Sequence, residues 1–489
     1  MTRSIRNNFA PINWVPPEVL SLIADDCDTH GEMIVLTHVC RSWRDIFISR
    51  TSLWTFLDCA NLDRTSVYLE RSKASPLKIC LDEERAPFLN DTFSLTVPHF
   101  GRLKNLSLSG SSKRLHRLTR YLGSPAPLLE ELEIRVVGAR HAAIESTIFN
   151  GNLSSLRGLR LAGVLTNLPW QDLANLTTFE FLRVPNDAVS VTQLLDFFEN
   201  APLLRDIELE GSLPHTSDAP DERVVSLLHL RSFVIHTHPA HSTFLNHLLI
   251  PTDASVGLEF TLSGEGFQIL DHLPTPIDNL SNISPITSIN LGFGSGMGIR
   301  LNGSSGGLHM FGPWFRGGLT PSTIYQRILQ SLGEFHVSTT ERLTVTQYDA
   351  SAHPETDESG AYQTLRPMNN LRTLTLIDCT DLPFLFALNP KHNRSNTVVC
   401  PKLEELVLYI RKQQDQRCVD GLLEMVKGRA SRDARLVTVT VVCSWELAPA
   451  EVFGLRRYVS RVEHRTDDES PRWDTVPGEG NEIDHSGHR

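Results

Sequence analysis

Apolar residues recur through the middle of the chain in the pattern L-x-x-L-x-L, in which x is usually polar. The pattern begins at residues 103, 129, 156, 176, 204, 230, 371, 403 and 436, and weaker versions begin at 286 and 340. The last two apolar positions of the pattern are separated by a single residue, which predicts a strand with one buried face. Because a single strand and its return segment cannot bury that face, repetition at about 20–29 residues predicts a stacked leucine-rich array.

The spacing of the pattern is uneven. The first starts are separated by 26, 27, 20, 28 and 26 residues, and the pattern is nearly lost over residues 240–340. We therefore expect an α/β fold whose main part is an irregular solenoid, a horseshoe that is interrupted there. The alternative is a set of ordinary amphipathic strands in a doubly wound α/β domain, but such a domain does not require the same spacing to recur.

One residue stands between the paired apolar positions of each strand, and the alternation places it on the concave face of such an array. These residues are Ser107, Glu133, Arg160, Glu180, Glu208, Val234, Asn290, Thr344, Thr375 and Val407. If the strands stack in register, they form one column. Its N-terminal half is mainly acidic, so Glu133, Arg160, Glu180 and Glu208 are candidate substrate-binding residues for a basic partner. The alternative is a solvated sheet face without a ligand.

Residues 14–54 carry a helical pattern instead. Pro16 and Pro17 suit the first turn of a helix, where a missing N–H costs least, and Glu18 lies where the helix dipole favours an acid. Gly31 predicts an interruption. Apolar positions at the spacing of one helical face follow it, and they are Leu36, Val39, Cys40, Trp43 and Phe47. So short a segment buries little surface alone, so we expect it to pack on a partner or on the neighbouring domain.

The same segment resembles an F-box. The likeness rests on the Val-Pro-Pro-Glu-Val-Leu opening at residue 15, the Val39-Cys40-Arg41-x-Trp43-Arg44 string and the closing Leu53-Trp54, in the usual order, with Val15 where leucine is common. The resemblance implies that this block binds Skp1. By that likeness, the residues that divide between Skp1 contact and the block's own core are Val15, Pro16, Leu20, Leu36, Val39, Cys40 and Trp43. The alternative is a helical hairpin packed on the domain behind it.

An F-box joined to leucine-rich repeats resembles a family of the ubiquitin pathway, with many members in mushroom-forming fungi. The string LRTLTLIDCTDL, with Cys379 after Leu376, is similar to the cysteine-containing repeats often joined to an F-box. The resemblance implies a substrate-recognition subunit of an SCF-type (Skp1–cullin–F-box) ubiquitin ligase, which is not an enzyme and has no cofactor. The F-box would hold a Skp1-like adaptor, and a cullin through it, while the repeats hold a protein substrate. The alternative is a Skp1-binding protein outside any ligase, or a leucine-rich scaffold.

These patterns divide the chain into five segments. They predict a flexible N-terminus at 1–12, the F-box at 13–60, a connector helix and strand at 61–100, the repeat solenoid at 101–445 with a glycine-rich insertion near 291–318, and a disordered tail at 446–489. In the connector, Pro76 ends the helix, and Leu77, Ile79 and Leu81 then alternate as in a strand.

Composition and charge exclude several classes of protein. Apolar residues make up 40% of the chain and charged residues 21%, which rules out global disorder and a fibrous chain. The net charge of −11 weighs against nucleic-acid binding. No apolar run is long enough for a membrane span, and no apolar segment follows the basic N-terminus as in a secretory signal. The eight cysteines include no Cys-x-x-Cys pair, so we predict thiols in a reducing compartment, cytoplasmic or nuclear.

Two other motifs could carry chemistry. Residues 303–307 fit G-x-S-x-G around Ser305, the motif of a hydrolase nucleophile, but the glycines that follow disfavour the helix that this motif needs, so we predict an insertion loop. A histidine group could bind a metal, and its members are His236, His238, His241 and His247. No carboxylate or cysteine accompanies them at ligand spacing, so we predict loop histidines and no metal site.

Overall fold

The computed structural model divides the chain into two compact units, Met1–His229 and Leu230–Arg489. The residues that the structure describes are 14–25, 30–84, 89–138, 140–144, 148–166, 173–184, 189–211, 223–237, 244–260, 280–293, 296–313, 332, 337–347, 358–377, 383–392, 397–410 and 416–466. Helices and mostly parallel sheet are found in both units, so the predicted α/β class is confirmed. The predicted flexible N-terminus at 1–12 and residues 467–489 of the predicted tail lie outside the described residues.

Three short helices begin the first unit. They are α1 (Pro17–Asp25), α2 (His30–His38) and α3 (Arg41–Ser49), and a 3-10 turn, Thr51–Trp54, follows. Gly31 was expected to interrupt the chain, but it lies inside the first turn of α2. The interruption falls at Cys40, whose backbone is extended and whose sulfur accepts a hydrogen bond from the Trp43 amide at 3.5 Å. This cap starts a new helix and splits the single helical face that the sequence predicts.

A parallel sheet forms the rest of the first unit. Its elements are β1 (Phe56–Leu57), α4 (Leu62–Ser72), β2 (Leu77–Asp82), α5 (Leu89–Thr96), β3 (Leu103–Ser111), α6 (Ser112–Thr119), β4 (Glu131–Val137), β5 (Ala142–Ile144), β6 (Gly158–Ala162), β7 (Val164–Thr166), β8 (Thr178–Val184), α7 (Val191–Asn200), β9 (Asp206–Gly211) and β10 (Val225–Ser226). Strands β1, β2, β3, β4, β6, β8 and β9 pair in that order, all parallel. A small parallel pair, β5 and β7, lies beside them.

The second unit has one antiparallel hairpin in an otherwise parallel sheet. Its elements are β11 (Ser232–Thr237), β12 (Leu248–Leu249), β13 (Ser255–Phe260), β14 (Ser288–Phe293), β15 (Gly296–Asn302), β16 (Gly307–Pro313), β17 (Arg342–Gln347), α8 (Glu358–Leu365), β18 (Thr373–Ile377), α9 (Pro383–Leu388), β19 (Glu405–Ile410), α10 (Gln416–Ala430), β20 (Thr438–Cys443), α11 (Pro449–Arg456) and β21 (Arg461–Arg465). The order in the sheet is β11, β13, β16, β15, β14, β17, β18, β19, β20 and β21. Only β15 is antiparallel to both of its neighbours.

Each predicted leucine-rich segment contains a strand, and its last two apolar positions are buried. In β4, for example, Leu132 is 1% exposed and Ile134 is fully buried, whereas Glu133 between them is half-buried. The strand prediction is therefore confirmed for all these segments, including the weak ones at 286 and 340. The sequence analysis missed β12, β13, β15 and β16, which lie where the pattern is nearly lost.

A repeated main-chain hydrogen bond joins successive strands. The amide of the residue before one strand donates to the carbonyl of the residue before the preceding strand. This linking bond runs from Arg157 to Glu130, Thr177 to Arg157, Arg205 to Thr177, Glu341 to Thr287, Arg372 to Glu341, Glu404 to Arg372 and Val437 to Glu404, at 2.7–2.9 Å. Amides and carbonyls just outside the strands are thereby satisfied, as buried backbone groups must be.

The glycine-rich segment at 291–318 was predicted as an insertion loop, and this is wrong for its described part. Residues 296–313 form the hairpin of β15 and β16, because apolar residues alternate there in spite of the glycines. The buried side chains are those of Ile299, Leu301, Leu308 and Met310. A Cβ atom on Gly306 would lie 2.5 Å from the Ala254 carbonyl oxygen, so the hairpin turn needs glycine to approach the neighbouring backbone.

The prediction of a disordered tail from residue 446 is wrong for residues 449–465. Helix α11 and strand β21 occupy residues 449–465, and β21 pairs in parallel with β20. Pro449 occupies the first turn of α11, and the Glu451 carboxylate accepts a hydrogen bond from the Ala448 amide at 2.8 Å. Leu455 and Val459 are buried, which gives this short segment enough apolar surface to pack.

Candidate protein-binding surfaces

The helical block, residues 14–54, has a small core of its own. Leu20, Trp43 and Phe47 are buried in it together with Ala24 and Met33. The rings of Trp43 and Phe47 pack edge to face, with centroids 5.6 Å apart. Three helices are therefore held by one aromatic pair and the aliphatic side chains around it.

The predicted Skp1-binding residues fall into three groups. Leu20 and Trp43 belong to the core of the block, with 2% and 7% of their surface exposed. Val15, Leu36 and Cys40 are half-buried and pack against that core. Pro16 and Val39 are exposed. Leu20 and Trp43 therefore support the shape of the block, and the exposed residues are the ones that a partner can touch directly.

A second set of apolar side chains faces solvent on α1, on α2 and at the residue that follows α2. We call these residues the apolar patch, and its members with their exposed fractions are Val19 44%, Leu22 65%, Ile23 40%, Ile34 37%, Val35 63% and Val39 49%. Helix α1 is thus apolar on two sides, since Leu20 and Ala24 face inward. A helix that is apolar all round is normally covered on both sides. The apolar residues of α1 were a signal in the sequence, but Ile34 and Val35 were missed.

Trp54 connects the helical block to the connector helix α4. The indole is fully buried, and its ring packs edge to face on Tyr68 with centroids 4.9 Å apart. The guanidinium of Arg71 lies over the same ring, 4.4 Å from its centroid. Both contacts come from α4, so the closing Leu-Trp of the F-box-like segment fixes the block on the element that follows it.

The acidic column predicted for the first unit lies in register. Across β3, β4, β6, β8 and β9, the paired residues are Ser107, Glu133, Arg160, Glu180 and Glu208. We call this the Arg160 row. Its side chains are half-buried or exposed, whereas their sequence neighbours are core residues. The sheet therefore presents these side chains on one face, as the alternation predicts.

Ion pairs organise the Arg160 row. The Arg160 Nε donates to the Glu180 carboxylate at 2.7 Å, and the Glu133 carboxylate accepts from the Ser107 hydroxyl at 3.0 Å and from Arg135 at 3.1 Å. Burial alone would lower the pKa of Arg160, but the hydrogen bond and charge of Glu180 outweigh it and raise that pKa. Arg160 therefore stays cationic among the carboxylates.

The corresponding row of the second unit is mostly uncharged. The predicted residues Asn290, Thr344, Thr375 and Val407 pair in register, and the row continues to Thr440 and Glu463 on β20 and β21. Strands that the sequence analysis missed separate Val234 from Asn290. They add Gly257, His309 and Arg300 to the row.

Neither the histidine group nor the G-x-S-x-G motif around Ser305 has the surroundings of a catalytic or metal site in the described residues. His236 Nδ1 lies 2.8 Å from the Glu259 carboxylate, and His247 is buried, while His238, His241 and Cys379 lie outside the described residues. No group of three His, Cys, Asp or Glu side chains in the described ranges could hold a metal ion.

The Ser305 hydroxyl donates to the Thr252 carbonyl at 3.1 Å, and the strand β16, not a helix, follows it. That geometry lacks the strand-to-helix turn of a nucleophile elbow.

Neither a membrane span nor a disulfide occurs in the part of the chain that the structure describes: no helix there is long and apolar enough to cross a bilayer, and its cysteines are unbridged. Comparison of the sequence with protein-family models and with curated proteins finds no match.

Proposed function

We propose that this protein is a substrate-recognition subunit of an SCF-type ubiquitin ligase. The helical block would bind a Skp1-like adaptor, and a cullin through it, while an exposed sheet face binds a protein substrate. The observation that carries the proposal is the apolar patch on α1 and α2, beside a core that the block already satisfies with other residues. Exposed apolar patches of this kind mark protein-binding surfaces.

Burial of the apolar patch would contribute favourably to such an interaction. Full burial of one Leu, Ile or Val side chain contributes about 1.5–3 kcal/mol, and the patch residues still expose roughly half of that surface. Covering the patch would contribute several kcal/mol before the cost of association. The F-box-like order of the motifs, with Cys40 starting α3 and Trp54 closing the block, supports an adaptor as the partner.

In this proposal the protein itself carries out no bond chemistry. It holds the substrate near the ubiquitin-charged enzyme of the ligase and raises the effective concentration of substrate lysines there. The proposed roles require only that the helical block and the sheet face are available at the same time.

The test is a pull-down of the full-length chain with recombinant Skp1. The double variant Leu22→Glu, Val35→Glu places two charges in the apolar patch at positions 65% and 63% exposed, so the fold should be retained. The matched control, Leu128→Glu with Leu228→Glu, adds the same charges at other exposed leucines, 47% and 72% exposed. We expect Skp1 binding to fall by at least about tenfold in the patch variant and to stay within about twofold in the control.

An intact chain that does not bind Skp1, or a patch variant that binds as well as the control, would overturn the proposal. Trp43→Ala is unsuitable as a test because Trp43 belongs to the core of the block. Co-purification then separates the ligase from its alternative: a cullin in the complex supports the ligase subunit, whereas Skp1 alone supports a Skp1-binding protein outside any ligase.

A further inference from the structure

We propose that the sheet face of the first unit binds an extended segment of a partner protein that is rich in lysine and arginine. The assignment of that partner as a ligase substrate rests on the proposed function. The surface itself is argued from the charge and spacing of its side chains, which do not depend on Skp1 binding.

Two neighbouring rows of side chains define this face. The Arg160 row is described above. Two residues earlier in each strand, a second row pairs Glu131, Gly158, Thr178 and Asp206 across β4, β6, β8 and β9. Because adjacent strands are about 4.8 Å apart, Glu131 and Asp206 stand roughly 14 Å from each other. We call this the Glu131 row.

The two rows carry unbalanced charge. Between β4 and β9 they contain the carboxylates of Glu131, Glu133, Glu180, Asp206 and Glu208, and the single guanidinium of Arg160. Arg160 is already paired with Glu180, Glu133 with Arg135, and Glu208 also has an interaction of its own, so Glu131 and Asp206 remain. The face therefore keeps a negative potential after its own ion pairs are formed.

Two carboxylates of this face are left for a partner, that of the half-buried Glu131 and that of the exposed Asp206. In the part of the chain that the structure describes, neither side chain has a hydrogen bond or an ion pair. The Glu131 carboxylate lies against the backbone of Gly158, where a Cβ atom would be only 1.9 Å from Oε2. Burial raises the pKa of Glu131, while Arg160 and Arg157 oppose this rise and the nearby Glu130 and Glu180 add to it. A cation placed beside Glu131 would stabilise its charged form.

Comparison with the second unit shows that a sheet face does not need carboxylates merely to be in contact with water. At the same positions between buried apolar residues, its strands carry the half-buried Thr344, Thr375 and Val407. A sheet face in this chain can thus remain outward without carboxylates. Among the described strands, this position is charged on β4, β6, β8 and β9 but uncharged on β17, β18 and β19, which favours a partner with complementary charge over a general solubility role.

The spacing of the free carboxylates fits an extended segment. In an extended chain, residues four positions apart are about 13–14 Å apart, which matches the separation of Glu131 and Asp206. Two cationic side chains at that interval could pair with both. A nucleic acid or a phosphorylated segment would be repelled by the same face.

The test measures binding of a labelled ten-residue peptide of alternating arginine and serine to the full-length chain by fluorescence anisotropy. An otherwise identical peptide with glutamate in place of arginine is the ligand control. The variant Glu131→Gln, Asp206→Asn removes two charges without breaking an ion pair in the described part of the chain. The variant Glu70→Gln, Glu424→Gln removes two charges from exposed helix positions instead.

We expect the arginine peptide to bind about three- to tenfold more weakly to the first variant and within about twofold of the parent to the second. Its binding should weaken further at about 0.5 M salt, where such charges are screened. Equal binding to both variants, or equal binding of the glutamate peptide, would overturn the proposed surface.

The two proposals fail separately. The Leu22→Glu, Val35→Glu variant should lose Skp1 and still bind the arginine peptide. A chain that binds the peptide through Glu131 and Asp206 but never binds Skp1 would remove the ligase function and leave the basic-segment surface in place. A chain that binds Skp1 but not the peptide would remove the basic-segment surface and leave the proposed ligase function in place.

Discussion

The indole N–H of Trp54 donates a hydrogen bond to the backbone carbonyl of Phe47, 3.0 Å away. Phe47 lies in the last turn of α3. This bond therefore satisfies one of the carbonyls that the end of a helix leaves without a partner. Tyr68 and Arg71 of α4 contact the other sides of the same indole. One side chain therefore joins the end of the helical block to the first helix of the connector.

Trp54→Phe should destabilise the protein while keeping an aromatic ring at this position. We expect the free energy of unfolding to fall by about 1–3 kcal/mol, because the Phe47 carbonyl loses its donor and the smaller ring leaves a gap. Urea unfolding followed by circular dichroism measures the change. Trp14→Phe is the control, since Trp14 is 70% exposed and its replacement should cost less than about 0.5 kcal/mol. Equal shifts in the two variants would contradict this role of Trp54.

Arg429 should be essential for the stability of the second unit. Its guanidinium is fully buried and donates to the carbonyls of Val399, Cys400 and Ala434 at 2.7, 2.9 and 3.2 Å. Arg429→Met would leave these acceptors without donors, so we expect a loss of about 3–5 kcal/mol in urea unfolding. The control is Lys427→Met on the exposed side of the same helix, and a comparable loss there would show that the carbonyl contacts do not matter.

The buried thiols of Cys59 and Cys400 should make stability fall at alkaline pH. Burial raises the pKa of each from its ordinary value near 9 to about 12. The unfolded chain loses these protons first, so their contribution is complete below pH 9 and decreases as pH rises from 9 towards 12. Each thiol adds up to about 1.4 kcal/mol per pH unit to that decrease.

Unfolding free energies of the parent and of the double variant Cys59→Ala, Cys400→Ala, measured from pH 8 to pH 10.5, test this expectation. The variant should be less stable near pH 8 and should show a shallower alkaline decline. Parallel curves would show that both thiols titrate alike in the folded and unfolded chains.

Gly306 should tolerate no side chain. A Cβ atom there would lie 2.5 Å from the Ala254 carbonyl oxygen and 2.6 Å from that of Thr252, and both obstacles are backbone. We expect Gly306→Ala to reduce the unfolding free energy by more than about 2 kcal/mol. Gly101→Ala is the control, because nothing lies within 4 Å of its Cβ position, and it should be neutral or stabilising by up to about 1 kcal/mol. Thermal unfolding of the two variants compares them directly.

The sequence predicted the strands well because their signal is local. In a segment such as Leu129-Leu132-Ile134, two inward positions flank one outward residue, and the structure buries them accordingly. The hairpin of β15 and β16 was missed because its glycines suggested a loop. Those glycines instead allow a close approach to Ala254 and Asn282, contacts that are distant in sequence and that no local pattern contains.

The candidate sites were predictable to different degrees. The order of the Arg160 row follows from strand alternation and the repeat spacing, so it could be predicted before the register was known. The helical block was harder, because Leu20 and Leu22 are the same residue type two positions apart and yet one is buried and the other exposed. Glu131 was missed because it lies outside the repeated position between the apolar pair.

The linking bond between successive strands involves no side chain at either end. Replacing Arg157 or Thr177 by almost any other amino acid would leave the bond intact, since every residue except proline brings the amide hydrogen. The residue types at these junctions can therefore change during evolution without altering the spacing between successive strands. A proline at such a junction would remove the donor and break the linking bond.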